Sequence, residues 1–226
     1  MAAEADPAQE MHPAAELQQP ETPPDAQENR KKLESLREQL ASTPYVGAAM
    51  VVLSVFMPWI SLGRMFDVTI MDISKGLMLA IIFIGAASAY AILKKKNYVL
   101  SAAMGHALLI FAVVAFIRYQ SLLSEVKKTI FGAMASSAIS LEWGGLLFLG
   151  GALNLCVVSV FLYAIEQLLP QGGALAGDVL FRTWKELVRA KVKLASIEVP
   201  AWIYSLVIGI LLVLLFSQSG MNRMIH

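Results

Sequence analysis

A chain of 226 residues that is 57% hydrophobic and only 15% charged, with a mean hydropathy of +0.62, is too apolar for a disordered chain or an ordinary soluble domain. A formal net charge of +1 leaves no basic excess for nucleic acid, and a single cysteine excludes an intramolecular disulfide. What remains is an all-α polytopic transmembrane helix bundle, because backbone polar groups in hydrocarbon must be satisfied inside each apolar run.

The chain opens on an acidic, proline-rich leader, residues 1–28, with seven Asp or Glu and no Lys or Arg. It has neither the basic start nor the apolar middle of a signal peptide, so it is expected to be disordered and retained. Residues 29–42 read as a short cytoplasmic helix. Asp25 is placed to cap it, Glu28 and Lys32 form an i,i+4 pair, and Leu33, Leu36 and Leu40 make a narrow apolar stripe. The pattern predicts a solvated or membrane-leaning stem.

Five apolar runs follow, at 45–62, 76–93, 98–117, 143–165 and 199–216. About 20 helical residues, each rising about 1.5 Å, cross the roughly 30 Å hydrocarbon core, and each run reaches or approaches that length. The first is short and carries Pro58 near one end, where a helix is expected to kink or to have started earlier. Residues 43–165 are thus predicted to form a four-span bundle, 166–197 a cytoplasmic loop, and 198–226 a fifth span with a short outer tail.

Between the second and third runs stands KKKN, Lys94 to Asn97. So short a connection makes the flanking helices antiparallel neighbours, and its lysines bear on orientation, because Lys and Arg near span ends favour the cytoplasm. With the N-terminus inside, the inner segments hold Arg30, Lys31, Lys32, Arg37, Lys94, Lys95, Lys96, Arg182, Lys185, Arg189, Lys191 and Lys193, which is twelve. The outer segments hold Arg64, Lys75, Arg118, Lys127, Lys128 and Arg223, which is six. The balance predicts a cytoplasmic N-terminus, five spans and an outer C-terminus. Trp59 and Trp143 then fall at the outer interface and Tyr45, Tyr98 and Trp202 at the inner one, while Pro200 takes a first-turn position in the fifth helix.

Two connections carry patterns of their own. In the outer one, Leu122, Val126 and Ile130 at i,i+4 spacing predict a short surface helix. In the inner one, DVLFRTWKELVRAKVKLASI, the cations Arg182, Lys185, Arg189 and Lys193 recur at steps of three and four. Leu180, Trp184, Leu187, Val188 and Leu194 gather opposite them. That pattern predicts a basic amphipathic helix in the inner-leaflet interface, with Arg182, Trp184, Lys185, Arg189 and Lys193 contacting the membrane surface and its anionic head groups.

The sequence carries no phosphate loop, no HExxH and no supported Ser/His/Asp pattern, so no catalytic, cofactor or metal residues are assigned. Cys156 lies inside a predicted span, where a reactive thiolate is disfavoured. His106 in the third span and Asn154 in the fourth stand at similar depth, and intramembrane polar groups face the bundle interior and find each other. The pair reads first as a hydrogen bond aligning two helices and second as the polar level of a conducting path. Small residues at Gly85 and Ala89, Ser101 and Gly105, Ser205 and Gly209, and Gly144, Gly145, Gly150 and Gly151 mark close helix contacts, within the chain or to a second copy.

The stretch MPWISLGRMFDVTIMDISKGLMLAIIFI places Pro58-Trp59 at the end of the first run, then a short outer loop and a second run opening on Gly76. With the glycine-rich EWGGLLFLGGALNL, it resembles the small bacterial four-helix membrane proteins that share a Pro-Trp signature. The resemblance covers roughly residues 45–165, implies a four-span fold, and carries no functional residue with it. The leader, the basic helix and the fifth span depart from that pattern.

The resulting expectation is a non-enzymatic scaffold or accessory subunit in a bacterial cytoplasmic membrane, multi-pass, contacting lipid and a protein partner. A small transporter or channel with a polar level at His106 and Asn154 is the alternative.

Overall fold

The computed structural model describes residues 24–62, 66–94, 96–128, 139–194 and 197–218; leader residues 1–23 and tail residues 219–226 lie outside these, while 24–28, expected to be disordered, are helical. The helices are α1 (Pro24–Leu40), α2 (Thr43–Ser54), α3 (Ile70–Ile73), α4 (Lys75–Leu93), α5 (Tyr98–Lys127), α6 (Trp143–Leu168), α7 (Gly177–Arg189) and α8 (Ala201–Gln218). The strands are β1 (Ile60–Leu62), β2 (Phe66–Val68), β3 (Ile139–Leu141), β4 (Lys191–Leu194) and β5 (Ile197–Pro200). The chain is mostly helical, and α4, the Tyr98–Glu125 part of α5, α6 and α8 are long and apolar enough to cross a membrane.

The first predicted run differs from these four. Its helix, α2, has only 12 residues and stops at Ser54. Pro58 supplies no N–H and disfavours a helical Met57, so the chain turns and enters β1. The segment nevertheless lies along the N-terminal half of α6, and α1 meets its C-terminal end. Arg37 pairs with Glu166 near the C-terminus of α6 at 2.8 Å, while at its N-terminus the Gly144 N–H donates to the Pro58 carbonyl at 2.8 Å.

Glycine makes that antiparallel alignment close. A Cβ on Gly151 would stand 2.7 Å from the Gly47 carbonyl oxygen and 2.9 Å from the Val51 nitrogen, so the two backbones are in direct contact. On the other face of α6, a Cβ on Gly105 of α5 would stand 3.0 Å from the Cys156 nitrogen. Gly85 packs on Val51 and Gly209 on Ile110. The small residues that the sequence left open between internal and external contacts are thus occupied within this chain.

The α4–α5 hairpin has the expected antiparallel form. Ser88 and Ser101 share a buried hydroxyl contact of 2.7 Å, and the turn closes with Asn97 Oδ1 accepting from the Leu100 N–H at 3.0 Å. Lys96 takes a left-handed φ of +48°, which brings the Asn97 N–H onto the Ala91 carbonyl.

The opposite end is closed by a small sheet that the sequence did not announce. β1 pairs antiparallel with β2 and with β3, in the order β2-β1-β3. Trp59 precedes β1, and its indole N–H donates to the Ser54 carbonyl at 2.7 Å while its ring packs 5.1 Å from Phe148. Phe111 meets both rings and Phe216. Trp59 is 8% exposed, so it is core and not the interfacial anchor expected from its position; Tyr98 is likewise buried. Trp143, at 67%, keeps the exposed placement.

Four further boundaries move. α5 runs on through Leu122 and Val126 in one 30-residue helix, replacing the separate surface helix, and Ile130 lies outside the described residues. The basic helix ends at Arg189, because Ala190 turns to extended backbone and β4 and β5 form a hairpin. Alternation in KVKL and β-branched residues in IEVP favour strands there. Pro200 therefore ends β5, and α8 begins at Ala201. At the N-terminus α1 starts at Pro24, which puts Asp25 inside the first turn instead of at the cap.

Candidate functional site

His106 of α5 is the most fully engaged polar group among the long apolar helices. Its Nδ1 lies 2.6 Å from the Ala102 carbonyl oxygen. A carbonyl can only accept, so Nδ1 carries the hydrogen and Nε2 is left as an acceptor. The indole N–H of Trp184, on α7, donates to Nε2 at 3.1 Å. The Cys156 Sγ is 3.5 Å from Nε2 and 3.7 Å from Nδ1, within reach of both ring nitrogens.

Asn154 is not part of this group. Cys156 and Asn154 are two residues apart, and about 100° of helical rotation per residue turns them to opposite faces of α6. Cys156 faces α5. Asn154 faces α2, where its buried Oδ1 has no hydrogen-bond partner and lies against Gly47, 2.5 Å from where a Cβ would stand. The predicted His106–Asn154 hydrogen bond is therefore replaced by two separate contacts at similar depth.

Beside His106 lies a cleft of about 130 Å³ between α5, α7 and α8, lined by Ala102, Ala103, Leu187, Val188, Ala201 and Ser205 among others. Its walls are mostly aliphatic. The Ser205 hydroxyl is already used, donating to the Ala201 carbonyl at 2.8 Å.

α7 carries the predicted basic surface. Thr183 and Leu187 are buried, while Arg182, Lys185 and Arg189 are exposed on the other side. Lys185 Nζ sits 4.9 Å from the centre of the Phe181 ring, which stacks at 5.9 Å on Trp184. Glu186 accepts from Gln167 at 3.5 Å. Lys193 is separated from this set, being on β4 and not on the helix.

At the same end α1 is docked onto the bundle, not free as a stem. Leu33 is buried, Arg37 pairs with Glu166, and Tyr98 donates to the same carboxylate at 3.4 Å. The Arg30 guanidinium donates to the Pro170 carbonyl at 2.6 Å and the Asn29 amide to that of Gly172 at 3.3 Å. Gly172 has φ +62°, and a Cβ there would meet the Ala26 carbonyl oxygen at 2.7 Å. The expected Glu28–Lys32 pair forms at 2.6 Å and holds the Glu28 carboxyl below its ordinary range.

Among the described residues, no three His, Cys, Asp or Glu side chains stand where they could share a metal ion. The site residues that sequence reasoning missed are Cys156 as a neighbour of His106 and Trp184 as its hydrogen-bond donor. A buried or half-buried indole N–H seeks an acceptor, which is the signal that pointed to some partner without naming it. Compared with protein-family models, with characterised proteins and with solved structures, the chain matches none.

Proposed function

We propose that this protein is a five-pass scaffold or accessory subunit of a bacterial cytoplasmic membrane, without catalysis of its own. Its N-terminus is cytoplasmic. Its working surface is the end formed by α1, the KKKN turn and α7, which meets anionic head groups and a protein partner. The resemblance of residues 45–165 to four-span proteins with a Pro-Trp signature fits this reading, with α7 and α8 as additions to that body.

One observation carries the proposal. Along its length the bundle is filled by direct helix contact, as at Gly151 and Gly105, while α1 and the exposed cations of α7 gather at one end. The excess of Lys and Arg in the segments at that end, twelve against six, supports a cytoplasmic placement. Five passes follow if the 43–59 segment, which lies beside the N-terminal half of α6, crosses with it. The transport reading ranks second, because His106 and Asn154 turn to different neighbours and so lose the shared polar path it needs.

The test is crosslinking in intact membranes followed by mass spectrometry, on the full chain and on one lacking residues 2–23. That deletion leaves α1 and its dock intact. A discrete partner captured by the full chain supports the scaffold, and its loss on deletion assigns recruitment to the leader. A partner-free particle in both, with solute flux in vesicles, replaces it with transport.

A further inference from the structure

The hydrogen bond between Trp184 and His106 joins a surface helix to a bundle helix, and its polarity is fixed by a third group. Because the Ala102 carbonyl holds the hydrogen on Nδ1, Nε2 has a lone pair to offer only while the ring is neutral. A proton added at Nε2 would place an N–H donor against the indole N–H donor. Neither could then accept.

We propose that His106 and Trp184 form a proton-sensitive latch, closed while the imidazole is neutral, that releases the Trp184 face of α7 from α5 when the ring is protonated.

The surroundings favour release over accommodation. On α6 the facing group is the Cys156 thiol, and on α8 it is Ser205 and Trp202 across the cleft, with Tyr204 packed against Ala103. α4 meets α5 through Ser88 and Ser101. On α7, Lys185 is drawn over Phe181, Arg182 and Arg189 are exposed, and Glu186 is engaged by Gln167; on β4, Lys191 pairs with Glu198. Among the described residues no carboxylate bonds the ring, so no acidic side chain is placed to hold the protonated ring against the indole. Outward movement of the Trp184 ring removes the donor clash while Leu187 stays buried against the bundle.

The latch is tested on the full chain in phosphatidylcholine nanodiscs by following indole ¹H–¹⁵N resonances on acidification from about pH 8 to about pH 5. The four tryptophans give four signals, and Trp184→Phe identifies the one concerned. The expected result is loss of the downfield, hydrogen-bonded Trp184 signal on acidification while the other three stay in place. Amide exchange in α7 should rise about tenfold over the same interval, as loss of one net hydrogen bond allows. In His106→Gln the side-chain carbonyl still accepts but does not titrate, so both readouts should become independent of pH. A Trp184 signal that does not change in the parent chain overturns the latch. The same titration persisting in His106→Gln overturns it as well.

Discussion

Where α2 lies against α6, backbone meets backbone across Gly47 and Gly151. Where α7 lies against α5 and α8, an indole, a few aliphatic side chains and a cleft make the joint, although α8 itself meets α5 closely at Gly209 and Phe216. Burial follows the same division: 50% of the α6 apolar window is inside the protein and 22% of the α8 window. Close glycine contacts have no alternative arrangement at low cost, whereas a joint made of rotatable side chains and a cleft has several. The comparison teaches that the α2–α6 body is the rigid reference and that the α7–α8 side is the part able to answer a signal.

Substitutions should separate the two regions by size of effect. The largest is expected for Trp59→Ala, which removes the ring that joins Phe148 to Phe111 and the bond that ends α2, costing about 3–5 kcal/mol of stability. Trp143→Ala, at an exposed ring, is the control for unfolding in nanodiscs, and an equal loss there would break the comparison. Gly151→Val comes next at about 1–3 kcal/mol, since its methyls must push α2 from α6. Gly209→Ala meets the Ile110 side chain at 3.0 Å, with no backbone atom nearer than 3.6 Å, and should cost less than Gly151→Val. Trp184→Phe should lower global stability by no more than about 0.5–1.5 kcal/mol, with the change confined to amide exchange in α7.

The smallest effect is local and depends on pH. The Asp72 carboxyl accepts from the Thr69 hydroxyl at 2.7 Å and the Thr69 N–H at 2.9 Å, which holds it below its ordinary range. A folded value below the unfolded one means that its contribution is complete above the ordinary aspartate range and is lost as pH falls through the lowered value. Protection of α3 amides should decline at that acid limb, and Asp72→Asn should remove the limb while leaving the bundle unchanged.

The long apolar runs made α4, α5, α6 and α8 legible, because length and hydropathy are sufficient signals for a spanning helix. The β1–β3 sheet was not legible: its strands are three residues each, and β3 joins from far along the chain. The end of α7 was partly readable, since KVKL alternates like a strand, but the step-of-three-and-four cations that ran through Lys193 concealed it. At the site, the depth of His106 and Asn154 was visible and their partners were not. Trp184 reaches His106 across 78 positions, and the neighbour of Asn154 is a glycine with no side chain to advertise it.

The central claim is that interaction is confined to the α7 end while the lipid-facing helices serve only to hold it. It is tested most directly by placing a photo-crosslinking residue at Arg182, exposed on α7, or at Phe83, 72% exposed on α4, in intact membranes. The account predicts a discrete protein adduct from position 182 and lipid adducts alone from position 83. A discrete adduct from position 83 with none from position 182 would contradict it.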